Sequence, residues 1–254
     1  MKLHVISDLH LRPQHDFSIP ATDADLIVLA GDIGRGLTGV EWAMAESARL
    51  GKPAVYVFGN HEYYTQVFPD LVEEARRLTA GSRVQVLEND VITQGRVRIL
   101  GCTLWTDFLL FGEAEEEACM AAAEAVMYDY QIIRTADGEP LRAGTTQQYH
   151  RESRQWLEAR LAEPWDGPTV VITHHVPCWA GSHPAFDGIL TAGFTSDLTP
   201  LMERHRIDLW ICGHSHANAD TRIGRTRLLS NQRGYPGEDV PGPAFDPALV
   251  VEVA

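Results

Sequence analysis

Short, unbroken runs of apolar residues, each followed at once by polar residues, recur along this chain. Such runs predict strands that are covered on both faces, as in a parallel sheet. The runs predicted as strands are residues 5–6, 26–30, 54–58, 169–173 and 208–212. Apolar positions at helical spacing predict helices over 39–50 and 69–80. Because strands and helices alternate here, we expect parallel strands joined by right-handed crossovers.

The middle of the chain changes character, since its apolar runs are closely spaced and separated by turn residues. Residues 84–87, 91–93 and 97–104 are predicted as short strands of a second sheet that packs on the first. Residues 226–229 and 248–253 are expected to close that second sheet. The predicted fold class is therefore α/β, with two mixed sheets packed as a sandwich and flanked by helices.

Three further helices are predicted in the second half of the chain, over 113–130, 146–162 and 200–206. The first is rich in alanine and glutamate and belongs to a helical excursion around 108–135. We expect this excursion either to cover an active site or to form a solvated surface helix. Without a linker or a shift in composition, the sequence predicts a single domain over 1–254.

Composition and charge exclude several classes of function. The chain has 254 residues, of which 44% are hydrophobic, and no apolar run reaches the roughly 18 residues of a membrane span. Its four cysteines form no C-x-x-C pair, and Asp8 and His10 interrupt any signal peptide, so we expect a cytoplasmic protein with reduced thiols. A net charge of −14 repels duplex nucleic acid.

The polar residues that follow the predicted strands are of an unusual kind. Six of the 11 histidines stand there, together with aspartate and asparagine. The five places are Asp8/His10, Asp32, Asn60/His61, His174/His175 and His214/His216. Because ligands bind beyond the carboxyl ends of parallel strands, we expect these side chains to meet in one crevice.

The predicted donor set consists of oxygen and nitrogen atoms. Cys212 is the one cysteine near a strand end, which argues against a structural thiolate zinc site. Carboxylate, amide and imidazole donors suit manganese, iron, zinc or cobalt. The donors are too many for one ion, so two ions about 3.5–4 Å apart fit better.

The order D-x-H, G-D, G-N-H-E, H-H and G-H-S-H, from Asp8 to His216, resembles that of the calcineurin-like metallophosphoesterase superfamily. The resemblance implies a four-layer α/β/β/α fold and a dinuclear centre whose bridging hydroxide attacks phosphorus, with manganese and iron favoured. It implies a first metal held by Asp8, His10, Asp32 and His216. It implies that Asp32 bridges to a second metal held by Asn60, His174 and His214, with His175 as the alternative to His174.

The resemblance gives His61 the role of general acid or of a donor that orients phosphate. We expect a small phosphodiester or phosphomonoester as substrate. The protein phosphatases of the superfamily have a sequence similar to G-D-x-V-D-R-G after the second strand, where this chain reads Gly31-Asp32-Ile33-Gly34-Arg35-Gly36. They also carry an arginine just before G-N-H-E, where this chain has Phe58. These departures argue against phosphoprotein phosphatase activity. The alternatives are a metal-binding interaction scaffold and a nuclease, and acidity argues against the nuclease.

Residues outside the five places give weaker predictions. Three arginines are candidates for gripping phosphate in a bidentate manner, namely Arg12, Arg35 and Arg233. Asn231 is a further candidate for reaching the site. Candidate pocket residues, which are equally compatible with the core, are Trp105, Asp107, Tyr128 and Trp179. The sequence leaves the physiological substrate and the oligomeric state open.

Overall fold

The computed structural model describes residues 1–12 and 17–254. Its strands are β1 (Lys2–Ile6), β2 (Leu26–Ala30), β3 (Ala54–Val57), β4 (Val67–Phe68), β5 (Val84–Leu87), β6 (Asp90–Gln94), β7 (Val97–Cys102), β8 (Arg134–Thr135), β9 (Thr169–Thr173), β10 (Leu209–Ile211), β11 (Asp220–Ile223), β12 (Thr226–Leu229) and β13 (Val250–Glu252). Its α-helices are α1 (Thr38–Leu50), α2 (Leu71–Thr79), α3 (Glu116–Val126), α4 (Asp129–Ile132), α5 (Ala143–Ala162) and α6 (Thr199–Arg204).

Two mixed sheets form the centre of the molecule. The first has the strand order β13-β1-β2-β3-β5, and the second has the order β11-β12-β10-β9-β7-β6. In the first sheet β1, β2, β3 and β5 are parallel, and in the second β7, β9, β10 and β12 are parallel. The predicted α/β fold with flanking helices is confirmed.

The packing explains why the strands are apolar on both faces. Neighbouring residues point to opposite faces of a strand. Val28 packs between the two sheets with Ile172 and Ile211, whereas Leu29 packs outward among residues of α1 and α2. The outer face of the second sheet is covered in the same way, with Trp210 packed against residues of α5 and α6. Four layers therefore position the ends of the central strands.

Two strand placements differ from the prediction. Residues 84–87 form β5 in the first sheet, parallel to β3, because helix α2 returns the chain to the sheet that it left. Residues 248–253 were expected in the second sheet, but β13 pairs antiparallel with β1 in the first. Met1 and Val253 extend this pairing by one residue, because each donates a backbone hydrogen bond to the carbonyl oxygen of the other.

The helix predicted over 113–130 is divided into α3 and α4. The backbone of Met127 is extended, with φ −77° and ψ 133°, which ends α3. Asp129 then begins α4 with its side chain almost completely buried. The interruption therefore directs a carboxylate inward. Within the described residues, no helix is both long and apolar enough to cross a membrane.

Candidate metal centre

The loops after five parallel strands converge at one edge of the sandwich. They follow β1, β2 and β3 in the first sheet and β9 and β10 in the second. Among the described residues, three groups of side chains have donor atoms within 4.8 Å of one another. The groups are Asp8, His10 and His216; His10, Asp32 and His61; and Asp32, His174 and His214.

The first group joins β1 to the loop after β10. His10 Nε2 lies 2.8 Å from His216 Nε2, and His216 Nε2 lies 3.5 Å from Asp8 Oδ1. Asp8 also accepts a hydrogen bond of 3.0 Å from the backbone N–H of His214. The carboxylate thus fixes the loop that carries both histidines of the G-H-S-H motif.

Asp32 lies at the centre of these three groups, which together form the cluster. Its Oδ1 is 3.3 Å from His174 Nε2, and its Oδ2 is 3.9 Å from His10 Nε2. His174 Nε2 is also 3.1 Å from Asn60 Oδ1. One carboxylate therefore faces donors of both neighbouring groups, as a bridging ligand must.

Partner groups hold the imidazole rings in orientations that turn their Nε2 atoms into the cluster. His174 Nδ1 donates to the carbonyl oxygen of Ala30 at 2.9 Å, and His216 Nδ1 donates to Glu238 Oε2 at 2.7 Å. A hydrogen bond from the other ring nitrogen fixes the tautomer of a metal-binding histidine and raises its basicity.

The imidazole nitrogens that face the cluster lack the partners that they would need in a purely structural cluster. Among the described residues, the buried His214 Nε2 has no hydrogen-bond partner, and the Nε2 atoms of His10 and His216 face each other at 2.8 Å. A buried polar atom without a partner is costly. A cation would accept the imidazole lone pairs, and carboxylate, amide and imidazole ligands match manganese, iron, zinc or cobalt. The residues present thus fit a metal site.

The electrostatics agree with this fit. Burial lowers the pKa of His10 to about 4, and burial with the neighbouring His175 lowers the pKa of His214 well below its usual range. Burial alone would lower the pKa of His174, but the Asp32 carboxylate outweighs it and raises the pKa to about 10. Ligating imidazoles must be neutral, so a metal would displace a proton from His174.

Backbone strain and close packing mark the same loops. Five of the clustered residues have positive φ angles although they are not glycine, and these are Asp8, His10, Asp32, His214 and His216. Two glycines pack against these residues where a larger side chain would not fit. A Cβ atom on Gly59 would be 2.1 Å from Asp32 Oδ1, and one on Gly213 would be 2.5 Å from Asp8 Oδ2. Non-glycine residues with positive φ gather at functional sites.

His61, a member of the second group, lies at the edge of the cluster and faces a pocket. Its Nε2 is 3.7 Å from Asp32 Oδ2 and 3.1 Å from the hydroxyl of Tyr235. Its backbone N–H donates to Asp32 Oδ1 at 2.9 Å, and its ring stacks on Tyr64 with centroids 4.1 Å apart.

The pocket has a volume of about 270 Å³ and places the cluster at its base. Its walls combine residues of the excursion with the segment before α6. The residues that line it are Asp32, Asn60, His61, Tyr64, Val126, Met127, Tyr128, Asp129, Phe186, Leu190, Phe194, His214, Ser215, His216, Tyr235 and Glu238. A larger groove of about 390 Å³ between α2, β5 and β6 is lined by none of the predicted site residues.

His175 points away from the neighbouring His174. Its Nδ1 lies 3.2 Å from the carbonyl oxygen of Thr103, and its ring packs 4.9 Å from that of Trp105. Burial lowers the pKa of His175 well below its usual range.

The three candidate arginines have different surroundings. Arg12 is exposed. Arg35 is exposed as well, with its guanidinium 5.5 Å from the ring of the pocket residue Tyr64. Arg233 stacks on Phe17 at 5.2 Å. Within the described part of the chain, the pocket lining includes none of the three.

Of the remaining candidate residues, Tyr128 lies in the pocket and the others lie outside it. Tyr128 lines the pocket and is 66% exposed, whereas Trp105 is buried in the core. Asn231 donates to the carbonyl oxygens of Val5 and Asp246 and so connects β1 to the segment before β13. Asp107 Oδ2 is 3.7 Å from His150 Nε2, and Trp179 packs edge-on against Phe111 at 5.5 Å.

The site residues that escaped the sequence analysis include Glu62, Asp129, Tyr235 and Glu238. Glu62, fully buried, accepts backbone N–H bonds from Asp32, Ile33, Gly34 and Gly59 and so fixes two ligand loops together. The glutamate of G-N-H-E was the available signal for this residue. Asp129 and Glu238 have no such signal, and Tyr235 lies in the segment after the predicted strand 226–229 that also holds the candidates Asn231 and Arg233. Only the tertiary fold shows that these three side chains reach the site.

Comparisons with known proteins show which family the chain resembles. The model of the calcineurin-like phosphoesterase family matches residues 1–218. In an alignment of 262 positions, which covers 93% of this chain and 78% of the relative, the sequence is 24% identical to the acyl-carrier-protein phosphodiesterase PptH of Mycobacterium tuberculosis.

Solved structures share the fold. The crystal structure of the phosphopantetheinyl hydrolase PptH of M. tuberculosis has a TM-score of 0.70 at 22% identity, covering 92% of this chain and 90% of that one. A dimetal phosphatase from Danio rerio has a TM-score of 0.52 at 14% identity, covering 91% and 87%. The match over residues 1–218 places the chain in the calcineurin-like phosphoesterase family, and the protein is a metal-dependent hydrolase of phosphoester bonds.

Proposed function

We propose that the protein is a dinuclear metallophosphodiesterase whose substrate carries a slender organic group on phosphorus. The central position of Asp32, within reach of donors from both neighbouring groups, is the observation that carries the dinuclear assignment. Asp8, His10, Asp32 and His216 would hold the first ion. Asp32, Asn60, His174 and His214 would hold the second, with His174 rather than His175 as the ligand because its Nε2 faces Asn60 and Asp32.

Metal ions bound there supply Lewis-acid chemistry: they acidify water and neutralise charge on the phosphoryl oxygens. Around them, Asp32 and Asn60 keep the ligand loops in place through their contacts with His61 and His174. His61 faces the pocket and does not belong to either proposed ligand set. As the new P–O bond forms and the ester P–O bond breaks, His61 Nε2 would donate a proton to the leaving oxygen.

The pocket walls support a phosphodiester with an organic arm. Leu190, Phe186 and Phe194 form an apolar wall, and the Phe194 ring stacks on His214 at 4.9 Å. Apolar walls beside a few polar groups are typical of small-molecule sites. PptH is named for acyl-carrier-protein phosphodiesterase activity. A phosphopantetheinyl group on a carrier protein is a phosphodiester with such an arm, and we propose it as the first substrate to test.

The alternatives have less support. An interaction scaffold would have no use for a buried imidazole whose Nε2 lacks a partner, which this cluster retains in His214. A phosphoprotein phosphatase would need a cationic clamp for its substrate. Within the described residues, neither arginine nor lysine lines the pocket.

The test is hydrolysis by metal-loaded protein. Bis(p-nitrophenyl) phosphate, p-nitrophenyl phosphate and phosphopantetheinyl acyl carrier protein would each be assayed with manganese, iron, zinc and cobalt. We expect the diesters to be cleaved with a higher kcat/KM than the monoester, and two metal ions per chain by elemental analysis. Inactivity on every diester would overturn the proposed phosphodiesterase activity, and a stoichiometry of one ion per chain would overturn the proposed dinuclear centre.

The control for this assay is a pair of charge-matched variants. Asp32→Asn removes the central carboxylate and should abolish both metal binding and turnover. Asp166→Asn removes the same charge from an exposed position and should leave both unchanged.

A further inference from the structure

Tyr235 is built into the site from outside the matched part of the chain. It lies beyond residues 1–218, which match the family. Its ring lies 4.3 Å from that of His10 and 4.8 Å from that of His216, and its hydroxyl lies 3.1 Å from His61 Nε2. The residue lines the pocket and is 45% exposed. The hydroxyl is therefore close to the cluster and accessible from the pocket.

The loop that carries Tyr235 is anchored at several points. The backbone N–H of Tyr235 donates to Glu238 Oε2, the same oxygen that accepts from His216 Nδ1. The backbone N–H of Gly234 donates to the carbonyl oxygen of Asp8. Gly234 has a φ of +73°, and a Cβ atom there would be 2.6 Å from Val240. These contacts fix the ring relative to the cluster, so its position does not depend on a mobile surface loop.

The hydrogen-bonding capacity of this hydroxyl is only partly used. A tyrosine hydroxyl has one proton to donate and lone pairs to accept. Among the described residues, its one hydrogen-bond partner is His61. The contact with His61 can use a lone pair of the tyrosine oxygen in the free protein, and Nε2–H would turn to the leaving oxygen when a substrate is bound. The O–H proton then remains for an acceptor in the pocket.

The charge of the pocket indicates which acceptor that is. The lining side chains of the described chain include no arginine or lysine, although a phosphodiester brings oxygens that must be bound. We propose that Tyr235 is a substrate-binding residue whose O–H donates to a non-bridging phosphoryl oxygen beside His61. The assignment rests on the phosphoester hydrolysis proposed above and adds a donor for the phosphoryl group.

The experiment measures phosphate binding separately from turnover. Inorganic phosphate is titrated into manganese-loaded Tyr235→Phe protein by calorimetry, after metal content and thermal melting have been matched to wild type. Loss of a hydrogen bond to a charged oxygen should weaken phosphate binding roughly 10- to 100-fold. Tyr149→Phe is the matched control, because that ring packs on Phe68 at 4.6 Å and lies outside the pocket lining. It should bind phosphate like wild type.

A second background separates direct contact from an effect through His61. In a His61→Asn protein, adding Tyr235→Phe should weaken phosphate binding by a similar factor. The proposal is overturned if Tyr235→Phe binds phosphate like wild type, or if the loss disappears in the His61→Asn background. Wild-type protein that hydrolyses no phosphoester would instead overturn the proposed function, so the two failures are distinguishable.

Discussion

At the scale of single residues, the site depends on backbone conformations that its side chains disfavour. Asp8, His10 and Asp32 have φ angles of 52°, 47° and 55°, and His214 and His216 are also positive. Each such residue costs about 1–3 kcal/mol and persists only where its surroundings enforce it. Here the enforcing contacts are those of Glu62 on the β2 and β3 loops and of Asp8 on the β10 loop. The strain turns donors from separate strands toward one point.

Gly59 gives the first prediction at this scale. An alanine there would bring Cβ within 2.7 Å of the Asp32 backbone nitrogen as well as its carboxylate, so the loop must shift. We expect Gly59→Ala to lower the free energy of unfolding by about 1–3 kcal/mol, as overpacking does, and to reduce bound metal. Denaturant titration and elemental analysis measure both.

The control for Gly59 is Gly144 near the start of α5. A Cβ atom there would meet only Met120, at 3.8 Å. Because glycine is unfavourable within a helix, Gly144→Ala should be neutral or raise stability by up to about 1 kcal/mol, with metal binding intact. Equal behaviour of the two variants would show that Gly59 is not held by close approach to Asp32.

His61 gives the second prediction. If it protonates the leaving oxygen, His61→Asn should lower kcat by about 10²–10⁴-fold on an ester with an alkyl leaving group. The loss should be much smaller on a p-nitrophenyl ester, whose leaving group needs no proton. His205→Asn, at the end of α6, is the control and should leave both rates unchanged. A loss that is equal for the two leaving groups would contradict the general-acid role and favour a phosphate-orienting role.

At the scale of elements, the excursion forms part of the site as well as a wall of the pocket. Asp129 at the start of α4 accepts from Asn60 Nδ2 at 2.7 Å and from the Tyr64 hydroxyl at 2.9 Å. The first bond leaves Asn60 Oδ1 directed at His174, and the second holds the ring on which His61 stacks. A short helix far along the chain thus orients two residues of the G-N-H-E loop.

Asp129 gives the prediction for this element. Asp129→Ala should weaken metal binding about 10- to 100-fold, the usual cost of losing a group that hydrogen-bonds to a metal ligand. Asp129→Asn keeps an oxygen that can accept both bonds and should retain most of the affinity. The exposed Asp137→Ala is the control. Metal affinity is read by competition with a chelator, and equal affinity in the alanine variant and wild type would exclude a positioning role.

The elements also show how far the sequence could lead. Strand ends such as Gly31-Asp32 and Gly213-His214 were predictable because a buried strand and its polar end are both local signals. The sheet to which β5 and β13 belong could not be predicted, since the pairing partner of an apolar strand is decided by the tertiary fold. Asp129, Tyr235 and Glu238 were missed for the same reason: which side chain of a loop or short helix reaches the site is decided by the tertiary fold, even where the segment of Tyr235 already held the candidates Asn231 and Arg233.

At the scale of the whole molecule, the two sheets meet at the candidate metal centre. Asp8, Asp32 and Asn60 extend from the first sheet, while His174 and His214 extend from the second. The apolar layer between the sheets holds their strand ends in register, and donors of opposite sheets lie as close as His174 and Asp32. Ions bound between them would connect the two halves of the sandwich, and metal binding would then favour the folded state of both.

The expected result is a metal-dependent melting temperature. A ligand at 100 times its dissociation constant stabilises the folded state by about 2.7 kcal/mol. For a chain of this size that corresponds to a rise of roughly 5–10 °C, measured by calorimetry with and without manganese. Asp8→Asn and His174→Ala, from opposite sheets, should each abolish most of the rise, whereas Tyr149→Phe should keep it. If removing a donor from one sheet left the full rise, the ions would not bridge the sheets, and the centre would have to be assigned to the loops of one sheet alone.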